Sequence, residues 1–210
     1  MKRAGFLNAF VTVLLVGTAV LAAQVGVVKV ADLDRLLVEV LQVRPGAVLA
    51  DIGAGPDALL AARMARHVGP SGRVYATEIG ERALGNLREA IRREDVKNVE
   101  VIEGHPARTN LPTECCDGIY IRNVYHHFAD PPAMNRSLFD SLKAGGRLVI
   151  IDFYPQGREA ISPADRDTGG QHGVTLETVT TELLQEGFEL ILSEKRPDMW
   201  FWLVVQRPAE

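Results

Sequence analysis

Two groups of residues in this chain have types and spacings able to do chemistry. The first is Asp51-Ile52-Gly53-Ala54-Gly55-Pro56-Asp57. Glycine lacks Cβ, so a Gly-x-Gly pair lets the backbone turn tightly and come close to a ligand. A helix starting just beyond such a turn offers unpaired N–H groups. With a third glycine, in G-x-G-x-x-G, this arrangement holds a pyrophosphate. Here Asp57 and Ala58 follow Gly55 and no third glycine appears. Asp51 and Asp57 also bring negative charge, so the turn suits a cationic or zwitterionic ligand better than a phosphate.

The second group is Arg122-Asn123-Val124-Tyr125-His126-His127-Phe128, with Asp152, Tyr154 and His172 further along and His105 upstream. Imidazole titrates near pH 6.5 and suits proton transfer. Tyr125, His126, His127 and His172 are the candidates for orienting a substrate or removing its proton. There is no Ser-His-Asp spacing and no G-x-S-x-G. The two cysteines, Cys115 and Cys116, are adjacent. No C-x-x-C pair exists, so no metal site is expected. A bridge between neighbouring cysteines closes a strained ring, so two free thiols are expected ahead of a buried strand.

These residues sit between elements that alternate from residue 31 onward. Leu33, Leu36, Leu37, Val40 and Leu41 have helical spacing over 31–42, which Arg44-Pro45-Gly46 ends. Ala47 to Ala50 is a short apolar run closed by Asp51, the pattern of a buried parallel strand. Helices are expected over about 57–67, 81–93, 131–142 and 175–185. Strands are expected over 73–77 (closed by Glu78), 99–103, 118–121, 147–153, 189–194 and 199–206. Residues 143–146, Lys-Ala-Gly-Gly, read as a stop and turn. The alternation implies an α/β domain over 31–207 whose mostly parallel sheet is covered on both faces. Ligands in such sheets bind beyond the carboxyl ends of the strands. The stretch 154–173, with several prolines and glycines, is long for a connection and reads either as a lid or as a disordered surface loop.

Val48-Leu49-Ala50-Asp51-Ile52-Gly53-Ala54-Gly55-Pro56 resembles the first motif of the class I S-adenosylmethionine (SAM)-dependent methyltransferases. Arg73–Glu78 resembles that family's second strand with its terminal acid. Asp117–Ile121 resembles the fourth strand, and Leu142–Ile150 the helix-turn-fifth strand. The resemblance runs from about residue 32 to 206 and is greatest to small-molecule methyltransferases of the quinone-methylating type. The stretch from Gly72 to Gly104 is also similar to protein-isoaspartate methyltransferases. It implies a Rossmann-like, doubly wound, seven-stranded sheet and SAM as cofactor. Gly53, Ala54 and Gly55 would then approach the methionine part. Asp51 would lie near its ammonium or the adjoining water. Glu78 would accept from both ribose hydroxyls, since a carboxylate can take two donors. Asn123 would bond the amino-acid end, and Tyr125, His126 or His127 would face the acceptor. Two positions depart from the pattern. Asp57 stands at the third glycine and is expected to cap the helix. His105 stands where an acid often meets the adenine amine, which weakens that contact.

Ahead of the domain, Lys2 and Arg3 precede an uncharged run from Ala4 to Val28, with small residues at Ala22-Ala23. Residues 1–28 have the pattern of a signal peptide, and about 20 apolar residues also suffice for an uncleaved membrane anchor. Lys2 and Arg3 would hold the N-terminus inside. The domain is accordingly expected to be exported, or held at a membrane, although SAM is made in the cytosol. A net charge of -4 argues against binding a nucleic-acid backbone. The partner expected is a small or lipid-like methyl acceptor. Two further readings stay open: a catalytically weak binding protein on the same fold, motivated by Asp57, His105 and the leader, and a nicotinamide oxidoreductase, which the missing third glycine disfavours. The oligomeric state does not follow from the sequence.

Overall fold

The computed structural model describes residues 30–166 and 171–209. The leader or anchor expected over 1–28 lies outside the described residues. Five helices and seven strands follow one another: α1 Val30–Val40, β1 Val48–Ile52, α2 Leu59–Val68, β2 Arg73–Glu78, α3 Glu81–Arg93, β3 Val99–Glu103, β4 Cys116–Arg122, α4 Pro131–Ser141, β5 Leu142–Phe153, α5 Leu176–Gln185, β6 Glu189–Lys195 and β7 Trp200–Gln206. Single 3-10 turns at Tyr125–His127 and Pro163–Asp165 interrupt the connections.

The strands form one sheet in the order β3-β2-β1-β4-β5-β7-β6. The first five run parallel, while β7 lies antiparallel between β5 and β6. This is the expected doubly wound, mostly parallel architecture. The chain builds outward from β1 to β3, then returns to lay β4 on the other side of β1. The carboxyl ends of β1 and β4 therefore diverge into a crevice, the place where such sheets bind ligands.

Alternation along each strand explains the two apolar layers. Leu49, Tyr120, Val149 and Val204 face α1, α2 and α3, where Leu37, Met64 and Leu87 are fully buried. Ala50, Ile119, Ile150 and Leu203 face α4 and α5, meeting Leu138 and Leu183. With both faces covered, the central strands must be apolar at every position. Helix α1 is tied to α2 by Asp34, which accepts from Arg63 at 3.0 Å and pairs with His67 at 2.8 Å. That docking brings Leu33 to the rim of the crevice.

Local chemistry accounts for the helix ends. Asp130 accepts from the Ala133 N–H and Thr175 from the Thr178 N–H, each as an N-cap. The expected turn over 143–146 differs. Strand β5 begins at Leu142, opposite Cys116, and its register with β4 shifts before Gly118. Gly145 takes a φ of 75°, and its N–H bonds to Arg207 O at 3.0 Å, so the turn residues stay within the ladder as an irregularity. Cys115 and Cys116 are free thiols.

Candidate active site

The crevice is a cleft of about 620 Å³ whose walls include the 51–57 turn, Thr77–Ile79, Gly104–Pro106 and Arg122–Val124. The turn hangs from the end of β2. The Gly53 N–H donates to Thr77 Oγ1 at 3.2 Å and the Ala54 N–H to Thr77 O at 3.0 Å. The Gly55 N–H donates to Glu78 Oε1 at 2.8 Å. Both glycines hold positive φ, 70° at Gly53 and 77° at Gly55, a region that side-chain-bearing residues seldom adopt. Their surroundings differ. A Cβ on Gly53 would lie 2.6 Å from Val124 Cγ2, whereas a Cβ on Gly55 would meet nothing within 4 Å. Gly53 is required by its neighbour, and Gly55 leaves room for a ligand.

Charge in the cleft is unusual. Asp51 is 3% exposed, and its Oδ2 is buried without a hydrogen-bond partner. Burial pushes its carboxyl up to about 8, and the negative charge of Glu78 adds to the rise. The nearby Tyr120 hydroxyl and the Arg122 guanidinium act in the opposite direction, the hydroxyl without reaching hydrogen-bond geometry. An orphaned buried carboxylate oxygen beside open space is a receptor for a cation or a bound water. The ammonium of SAM meets that demand, and the diol of its ribose suits Glu78. The residues present therefore fit this cofactor. Asp57 does reach the start of α2, where its Oδ1 accepts from the Leu59 N–H at 3.3 Å, although Ala58, at a φ of 54°, holds the cap position itself.

The other predicted residues divide. Asp51, Gly53, Ala54, Gly55, Glu78, His105 and Asn123 all line the cleft. His105 is exposed, and its Nδ1 accepts from the Ala107 N–H at 3.2 Å. Asn123 takes a φ of 59° just after β4. His127 lines the cleft as well. Tyr125 does not. It is fully buried, receiving the Asn135 amide at 2.8 Å and donating to Glu182 Oε2 at 2.9 Å. Glu182 in turn holds Arg166 at 2.5 Å. His126 is also fully buried, with Nδ1 at 2.9 Å from Asp152 Oδ1. His172 packs on His126 with ring centroids 4.6 Å apart, and His127 lies 4.0 Å from His126. The three histidines thus meet, although cysteine spacing gave no sign of a polar cluster. The described part of the 154–173 stretch lines no wall of the cleft and is pinned to α5, with Glu159 accepting from the Thr175 N–H at 2.9 Å.

Among the cleft residues without an assigned part in the sequence reading, three bear on the turn and the charge of the site. Thr77 fastens the turn and Val124 packs on Gly53. Arg122 lines the cleft, and its guanidinium lies 6.0 Å from the Trp200 ring centroid. The last residue of a strand that ends at a crevice was the available signal for Arg122.

Comparison with known proteins agrees with this geometry. Residues 50–150 match the family described as "Methyltransferase domain". The ubiquinone/menaquinone biosynthesis C-methyltransferase UbiE of Enterobacter sp. (strain 638) is 31% identical over 131 residues, covering 62% of this chain and 52% of that protein. The chain thus spans about half the length of the curated relatives it matches. A SAM-dependent methyltransferase from Aquifex aeolicus superposes with a TM-score of 0.71 at 20% identity, covering 85% of this chain and 94% of the other. Phosphoethanolamine N-methyltransferase 2 of Haemonchus contortus, solved in complex with SAM, superposes with a TM-score of 0.68 at 13% identity, over 84% of this chain and 52% of the other. Residues 50–150 are thus similar to the methyltransferase-domain family, and the fold is that of solved SAM-dependent methyltransferases.

Proposed function

We propose that the protein transfers a methyl group from SAM to a small or lipid-like acceptor, with a quinone-type ring as the first class to try. The observation that carries this reading is the cleft in which Glu78 faces Gly55 beside the buried, unpartnered Oδ2 of Asp51. The name of the UbiE relatives, quinone-biosynthesis C-methyltransferases, supports the acceptor class.

SAM supplies a methyl carbon on a sulfonium, which needs alignment with the nucleophile and no covalent help from the protein. Orientation of that kind is worth about 7–11 kcal/mol of barrier. The chain's residues divide the work of holding and aligning. Gly55 keeps the space in front of the turn free of side chain. Glu78 takes the ribose hydroxyls, a charge-assisted pair. Asp51 neutralises the ammonium, and Arg122 offers its charge to the carboxylate. His127, on the cleft wall, is the residue able to take a proton from an acceptor that arrives protonated.

We also propose that residues 1–28 direct this domain to a membrane or across it. Support comes from Lys2-Arg3 followed by an uncharged run to Val28. Among the described residues no helix is long and apolar enough to cross a membrane.

Calorimetric titration of the full chain with SAM, its demethylated product and NAD tests the reading. Binding of SAM and its product, with methyl transfer from labelled SAM to a quinone panel, is expected. Binding of NAD without SAM would overturn it. Sequencing of the mature N-terminus and cell fractionation test the targeting.

A further inference from the structure

We propose that His126, His127 and His172 form a site for one divalent transition-metal ion at the edge of the cofactor cleft. Each contributes one ring nitrogen, and these atoms lie within 4.8 Å of one another. Metal–imidazole bonds of about 2.0–2.1 Å place neighbouring ligand nitrogens roughly 3.3 Å apart in a tetrahedral site. Closing the remaining gap takes small side-chain rotations of His127 and His172, both exposed, out of the contacts they now make.

The fixed member of the set is His126, and its surroundings decide its chemistry. The ring is completely buried, yet its Nε2 has no hydrogen-bond partner. Its other nitrogen, Nδ1, is 2.9 Å from Asp152 Oδ1. The same carboxylate accepts from the His126 N–H at 3.1 Å and the Phe153 N–H at 2.9 Å. A carboxylate oxygen behind Nδ1 accepts the proton that nitrogen carries, which leaves Nε2 as the ring nitrogen turned to a metal. A carboxylate behind one imidazole nitrogen with the other left bare is the arrangement that orients a metal-binding histidine and raises its basicity. Packing alone does not ask for this. A histidine serving only as a flat ring among Phe153, His127 and His172 has no use for a buried carboxylate and an unsatisfied nitrogen.

Imidazole donors suit zinc, copper, nickel and iron, whereas magnesium and calcium prefer oxygen. Three protein ligands leave a coordination position open. Because His127 lines the cleft, a bound ion would lie at its wall and would engage the imidazole named above as the proton acceptor. The binding claim does not depend on methyl transfer: it stands or falls on the three histidines and Asp152.

The test uses the full chain without a polyhistidine tag, stripped with chelator and titrated with Zn²⁺ by calorimetry and with Co²⁺ by visible absorption. One ion per chain is expected, with a cobalt spectrum of nitrogen ligation. Asp152→Asn should weaken binding by about 10–100-fold. His126→Ala disturbs a buried position, so the exposed His172→Ala and His127→Ala carry the decision. Each should lower affinity by about tenfold or more while the melting temperature without metal stays near that of the parent. Absence of saturable one-to-one binding, or an unchanged affinity in His172→Ala, overturns the proposal. Failure of SAM to bind in a parallel titration would sink the cofactor reading and leave this one standing.

Discussion

Gly55 N–H and Glu78 Oε1 are hydrogen-bonded at 2.8 Å across the mouth of the cleft. The tip of β2 and the turn after β1 are therefore locked to each other before any ligand enters, with Glu78 Oε2 near the Ile79 N–H at 3.3 Å. A carboxylate held in this way is already placed for a diol. Charge-assisted hydrogen bonds are worth about 1.5–3 kcal/mol. Glu78→Ala is expected to weaken SAM binding by roughly 10- to 150-fold, and Glu78→Gln by less. Calorimetric titration measures it, and an unchanged affinity in Glu78→Ala removes Glu78 from the site.

The two glycines of the turn should separate stability from binding. Gly53→Ala meets both a positive φ, costing about 1–2 kcal/mol, and overlap with Val124, costing about 1–3 kcal/mol more. Gly55→Ala meets the φ cost alone, but its methyl enters the open cleft. Thermal melts should show the larger loss in Gly53→Ala, while the larger ratio of binding loss to stability loss should appear in Gly55→Ala. Adding Val124→Ala to Gly53→Ala should restore part of the stability, since the two sites are in contact. Equal melting temperatures for the two single variants would contradict this account.

The glycine turn and the carboxylate facing it were legible because they are local. Asp51, Gly53 and Gly55 lie within one turn, and Glu78 closes the strand that pairs with β1 in register, Ile52 beside Thr77. Short-range spacing carries that information. The acceptor end was less so, because its arrangement depends on distant partners. His126 and His127 read alike in sequence, yet one is sealed against Asp152 and the other lines the cleft. Which of two adjacent side chains turns inward is decided by a 3-10 turn and by a carboxylate on β5, 26 positions away. The first residues of β5 show the same limit. Gly145 and Gly146 carry a turn composition, but hydrogen bonds with Arg207 keep them in the strand.

Tyr125 illustrates the cost of judging a residue by its type. Its hydroxyl joins Asn135 and Glu182, both on helices that pack against the sheet. Tyr125→Phe leaves the buried Asn135 amide short of a partner while Glu182 keeps Arg166, a loss of about 1–3 kcal/mol. Denaturant unfolding should register that loss. SAM affinity should stay within about twofold of the parent, because the hydroxyl faces away from the cleft lining. A large drop in affinity with stability unchanged would return Tyr125 to the catalytic candidates.

Asp51 is expected to set the pH dependence of SAM binding. In the folded protein its carboxyl is pushed from an ordinary 3.8 up to about 8, chiefly by burial. Between those values the native state holds a proton that the unfolded chain has released, so this group's contribution to stability falls as pH rises through the window. A cation bound beside Asp51 favours the ionised form and lowers that value. At pH 7 SAM binding must then expel a proton, and affinity should rise with pH until about 8 and level off above it. Calorimetry at pH 7 in phosphate and in Tris, which differ in ionisation enthalpy, reads the proton directly. The observed enthalpies should differ for the parent and converge for Asp51→Asn, whose side chain has no proton to lose in this range. Matching enthalpies for the parent in both buffers would mean that Asp51 enters the complex with its protonation unchanged, and that the ammonium is neutralised elsewhere.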